Sequence, residues 1–97
     1  MTTAPTAPTP RYAPKPGLIE TDLERELVLL DPETRLMYSL NATGRLVWRA
    51  LSESEAELAH RISERFTAGV DQALLDVRRL LADLARAGLI VPRADAG

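Results

Sequence analysis

Side chains able to do chemistry are scarce in this sequence. It has no cysteine and one histidine, His60. Acid–base or nucleophilic catalysis needs a base, a nucleophile or a metal with several convergent ligands. His60 stands among charged residues on a helical stretch, where an imidazole is expected to be solvated or partly packed. Asp76 and Asp83 fall two turns apart on one helix face and form a carboxylate pair in principle. Without further ligands they read as surface charge or as contacts for a basic side chain. No catalytic residue, metal or cofactor is therefore expected. Arg78, Arg79 and Arg86 suggest a DNA-recognition helix, but Asp76 and Asp83 would face phosphate beside them. Twelve basic residues against fourteen acidic ones give a net charge of -2 with the signs interspersed, which removes the steering field of a nucleic-acid binder. A winged-helix DNA-binding protein stays the rival class.

Such residues must be positioned by a small fold. The chain has 97 residues, 45% of them apolar, enough for one core. Lack of cysteine, of a signal-like basic and apolar N-terminus, and of a membrane-length apolar run leads to the expectation of a soluble, cytoplasmic bacterial protein. Five of the seven prolines stand in the first sixteen residues, among Thr and Ala, so residues 1–16 are expected to be a disordered tail. The domain is expected over 17–91, with a flexible tail over 92–97.

From Gly17 the pattern is first that of strands. Leu18-Ile19-Glu20 starts one and the apolar run 26–30 makes a second. Asp31-Pro32-Glu33-Thr34 has the chemistry of a turn, because proline presets one corner and aspartate bonds the backbone ahead. The returning segment 35–40 alternates, with Leu36, Tyr38 and Leu40 on one face and Arg35, Met37 and Ser39 on the other. It is expected to be a half-buried third strand.

Helices follow. Asn41 is a natural N-cap for a helix to about Leu51 that carries Leu46, Val47, Trp48, Ala50 and Leu51. Gly44 in its first turn implies close backbone approach. Ser54 and Glu57 have capping-box spacing, with Leu58, Ala59, Ile62 and Phe66 as the buried stripe and Glu57–Arg61 as a surface pair. Asp71 is expected to cap a third helix through Ala87, ended by Gly88 in the left-handed position with Leu89 folding back. On that helix Leu74, Val77, Leu81 and Leu84 complete one stripe, while Leu75 and Leu80 widen it. The excess serves either a central packing role or a peptide groove.

Taken together, residues 26–30, Tyr38-Ser39-Leu40-Asn41-Ala42-Thr43-Gly44, Val47-Trp48, Asp76-Val77 and Leu84-Ala85-Arg86-Ala87-Gly88-Leu89 resemble the PqqD-like family in order and spacing, over about Leu18 to Val91. The resemblance implies an α+β, winged-helix-like fold in which a three-stranded antiparallel sheet is followed by three helices. It also implies a recognition element for ribosomally synthesised, modified peptides (RiPPs), most like the stand-alone leader-binding proteins of lasso-peptide pathways. Such a protein pairs the precursor's leader with its third strand and delivers it to a partner leader peptidase or modifying enzyme. The alternative within the family is a chaperone presenting a precursor to a radical SAM enzyme. The matching positions of the binding surface are Arg35, Leu36, Met37, Tyr38 and Ser39 on the strand, and Asp76, Arg79, Leu80 and Asp83 on the third helix. By alternation alone Tyr38 faces the core. An exposed strand edge also permits either a monomer or a strand-exchanged dimer.

Overall fold

The computed structural model describes residues 11–93. Its elements are β1 (Tyr12–Pro14), β2 (Ile19–Asp22), β3 (Leu27–Asp31), β4 (Leu36–Leu40), α1 (Ala42–Arg49), α2 (Glu55–Phe66), α3 (Val70–Arg86) and β5 (Ile90–Pro92). Strands β2, β3 and β4 form an antiparallel sheet in that order, and β1 pairs with β5 in a separate antiparallel ribbon. The architecture is α+β, as expected, with the ribbon as an addition.

The sheet buries one face. In β3, Leu27, Leu29 and Asp31 are buried while Val28 and Leu30 are only half-buried, the alternation of a central strand with one covered side. Register places Leu40, Tyr38 and Leu36 of β4 opposite Leu27, Leu29 and Asp31. Against this face lie Val47, Trp48 and Leu51 of the first helical region, Leu58, Ala59 and Ile62 of α2, and Ala73, Val77, Leu81 and Leu84 of α3.

Local chemistry sets the boundaries. Asn41 Oδ1 accepts from the Gly44 amide at 2.9 Å, so the first turn of α1 starts under a side-chain cap. A Cβ on Gly44 would lie 3.0 Å from Leu40 Cβ, which is why the strand can turn so closely into the helix. Ser54 and Glu57 make the reciprocal capping box of α2. Gly88 has φ +76°; its amide bonds Ala85 O at 3.0 Å, and the Leu89 amide bonds Leu84 O at 3.0 Å. This is a Schellman closure, with Leu89 buried as its hydrophobic contact.

Several expectations need correction. The disordered tail does not extend to residue 16: Tyr12, Ala13 and Pro14 pair with Pro92, Val91 and Ile90, and Tyr12 packs on the core. Both prolines fit because each strand of a two-stranded ribbon has an open edge where a missing N–H is harmless. The same pairing takes Pro92 out of the C-terminal tail. Residues 1–10 and 94–97 of those tails lie outside the described residues.

Arg35 is in the turn rather than the strand, with φ 64°, because its amide closes the turn on Asp31 O at 2.7 Å. The cap of α3 is Gly69, without a side-chain bond, and Asp71 sits in the first turn, where its charge favours the helix dipole. Phe66, at the end of α2, is 40% exposed. Arg61 pairs with Glu53 rather than Glu57, since the Glu57 carboxylate is already held by the Ser54 amide at 2.8 Å.

Candidate peptide-binding edge

The sheet has two terminal strands, β2 and β4. A terminal strand offers a row of main-chain donors and acceptors to an incoming chain, and proteins usually guard such rows with charges, prolines or bulges. Strand β2 (IETD) carries Glu20 and Asp22, opposite Leu29 and Leu27 on the helix-facing side. Asp22 reaches α1, where Arg45 Nη2 meets it at 2.8 Å and Arg49 shares the same carboxylate. The Arg45 guanidinium, with the Glu24 amide, holds the Asp22 carboxyl well below the usual carboxylate range. By contrast β4 (LMYSL) has neither a charge nor a proline.

Two backbone bonds determine which groups of β4 are open. Within a strand, the N–H and C=O of one residue point to the same side and alternate from residue to residue. Asp31 O accepts from Arg35 N, so Asp31 faces across its hairpin; with the register, Leu36, Tyr38 and Leu40 then face β3. The other hairpin agrees. Leu23 N donates to Glu26 O at 2.9 Å, so Glu26, Val28 and Leu30 face β2, leaving Leu27, Leu29 and Asp31 for β4. Met37 and Ser39 therefore point their N–H and C=O groups away from the sheet.

The side chains at this edge are correspondingly open. Met37 is 67% exposed, and Leu36 is 52% exposed although it lies on the helix-facing side, so the helical layer leaves it uncovered. Tyr38 is half-buried against the core, as alternation requires. On α3, Asp76, Arg79, Leu80 and Asp83 share one helix face by their spacing. Leu80 packs on the core and Asp76 is half-buried, accepting from Gln72 Nε2 at 3.0 Å, while Arg79 and Asp83 are exposed. Asp83 makes an exposed pair with Arg86 at 3.4 Å. The strand residues thus share one edge, the helix residues share one face, and Tyr38 and Leu80 border the same core.

An ion pair that sequence reasoning missed anchors the hairpin. Asp31 is 4% exposed, and its carboxylate meets Lys15 Nζ at 2.7 Å and the Glu33 amide at 3.0 Å. The lysine holds the Asp31 carboxyl below its ordinary value, and the carboxylate raises the lysine in return. Lys15 also bonds Leu89 O through its amide at 2.9 Å. The ribbon is thereby tied to the end of the hairpin that carries β4. Among the described residues no group of three or more His, Asp or Glu is placed to hold a metal ion, and no helix is long and apolar enough to cross a membrane.

The model of the family described as coenzyme PQQ synthesis protein D (PqqD) matches residues 26–90. The chain belongs to the PqqD family. No curated protein matches it. Two solved structures share its fold. One, described as TbiB1 in complex with the TbiA(beta) leader peptide, has a TM-score of 0.76 at 24% identity, covering 86% of this chain and 99% of that one. The other is a lasso peptide synthetase B1 complexed with the leader peptide, with a TM-score of 0.77 at 23% identity, covering 84% of this chain and 99% of that one. The match to PqqD begins beyond β1 and β2, so the ribbon and the guarded edge strand contain sequence outside the family's matched core.

Proposed function

We propose that this PqqD-family chain is a non-catalytic recognition element that captures the leader of a ribosomally made precursor peptide as an added strand on β4. The observation that carries the reading is the outward main chain of Met37 and Ser39 on an unguarded terminal strand. An extended peptide bonded there gains affinity from the ladder and specificity from side-chain contacts. Leu36 and Tyr38 contact the leader from the strand, and Asp76, Arg79, Leu80 and Asp83 from α3; Arg35 flanks it from the turn. The two solved neighbours are themselves leader-peptide complexes, which supports the choice of ligand.

The bound leader is then delivered to a partner peptidase or modifying enzyme of a lasso-type pathway, because holding both raises the local substrate concentration. Fluorescence anisotropy with a synthetic leader from the same gene cluster tests the capture step. The leader is expected to bind and the core peptide not; equal binding of both, or of neither, contradicts the reading. A cleavage assay tests delivery: the chain alone leaves the precursor intact and accelerates the partner peptidase. The family's PQQ-synthesis description favours one second reading, presentation of a precursor to a radical SAM enzyme. A radical-enzyme gene beside the precursor, in place of a peptidase and cyclase, decides for it.

A further inference from the structure

Away from β4 and α3, the turn between β2 and β3 meets α1 and α2 around a cleft of about 430 Å³, within the size range of ligand sites. Its apolar lining includes Leu46 of α1, Ala50 just after it and Phe66 of α2. Phe66 is the expected core residue that instead stays 40% exposed. Around this lining stand five arginines, Arg25, Arg45, Arg49, Arg61 and Arg65, against two glutamates, Glu24 and Glu53. Such a concentration of guanidinium groups stands out on a chain of net charge -2.

The local acids do not satisfy this charge. Asp22 serves both Arg45 and Arg49, and Glu53 serves Arg61. Arg25 and Arg65 have no ion-pair partner among the described residues. Guanidinium groups bind carboxylates in a two-pronged geometry. We infer that this cleft is a second docking site, for an acidic segment of a partner protein that carries an apolar side chain between its carboxylates. A nucleic-acid backbone would meet Glu24 and Glu53 in the same lining, whereas a peptide places its charges singly and offers Leu46 and Phe66 an apolar contact. No residue of β4 or α3 lines the cleft, so an enzyme held here leaves the proposed leader edge open.

The test titrates the full-length, isotope-labelled chain with a short fluorescent peptide alternating Glu and Leu. Controls are a Lys–Leu peptide, polyglutamate and random duplex DNA. The Glu–Leu peptide is expected to bind best and to shift the amide signals of Arg25, Leu46, Arg65 and Phe66 without displacing a leader from β4. The double variant R25E/R65E breaks no ion pair among the described residues and is expected to weaken binding by about tenfold, ~1.4 kcal/mol. Phe66→Ser is expected to weaken it several-fold. If circular dichroism shows the double variant unfolded, Arg25→Ser and Arg65→Ser singly take its place. Equal or better binding of any control, or unchanged affinity in the folded arginine variants, overturns the inference. Loss of leader binding alone would remove the function proposed above while leaving this site standing.

Discussion

The two terminal strands of the sheet flank the same central strand, yet their sequences treat an exposed edge in opposite ways. On β2, Glu20 and Asp22 place carboxylates on the helix-facing side, and Asp22 is bound by Arg45 and Arg49. An added chain there would press its side chains against charge. On β4, the open groups of Met37 and Ser39 are flanked by Leu36 and Tyr38, without any acid, base or proline on the strand. The difference teaches that sheet topology alone does not mark a binding edge. What marks it is the missing protection, since an unguarded edge is an aggregation liability unless something occupies it.

Removing what the two edges share should have the largest effect. Leu29 is fully buried in β3, and Leu29→Ala is expected to cost about 2–5 kcal/mol of stability, read by urea denaturation, with leader binding lost only as the fold is lost. Proline substitution then separates the two sides of β4. Met37→Pro and Ser39→Pro remove an outward N–H and should leave the circular dichroism spectrum intact while weakening leader binding by roughly 1 kcal/mol or more. Tyr38→Pro removes an N–H facing β3 and should destabilise the fold itself. Full-strength binding by the folded Met37 and Ser39 variants would rule out strand addition.

These outcomes depend on main-chain direction, which side-chain alternation in the sequence does not reveal. The pattern of residues 35–40 distinguishes two faces, and Tyr38 does face the core. It is silent on which amides point to β3, because that depends on how each hairpin closes. Arg35 illustrates the gap: its spacing continues the alternation, but the turn needs its amide for Asp31 O, and this draws it into the left-handed region. Caps were more legible, since Asn41, the Ser54–Glu57 box and Gly88 act over a few residues. At Asp71 the helix starts two residues earlier than the cap chemistry implies, from Gly69. The ribbon went unread because proline frequency dominated the first sixteen residues. Residues 2–10 contain only Thr, Ala and Pro, whereas Arg11, Tyr12 and Lys15 break that composition. Arg11 bonds Ser52 O at 2.9 Å, Tyr12 packs on the core and Lys15 holds Asp31.

A smaller effect follows from guarding β4 as β2 is guarded. Leu36→Glu adds a carboxylate on the helix-facing side of the edge. Because Leu36 is half exposed, stability should change by no more than about 0.5 kcal/mol, while leader affinity falls several-fold by anisotropy. The smallest effect on binding is expected at the other edge. Asp22→Asn removes the anchor to α1, lowering Tm at neutral pH without changing leader affinity. Asp22's folded-state value lies below its ordinary one, so its contribution is present above about pH 4 and is lost as pH falls toward the lowered value. The Tm gap between the wild type and Asp22→Asn should therefore narrow as the pH is lowered from about 4 toward about 2. A Tm gap that widens on acidification would contradict the assignment of the stabilising charge to Asp22.

Amide hydrogen exchange, followed by NMR with and without a saturating leader peptide, tests the choice of edge most directly. The leader is expected to slow exchange at the Met37 and Ser39 amides and to leave Glu20 and Asp22 unchanged. Protection of Glu20 and Asp22 instead, or a bound leader that protects neither Met37 nor Ser39, would contradict it.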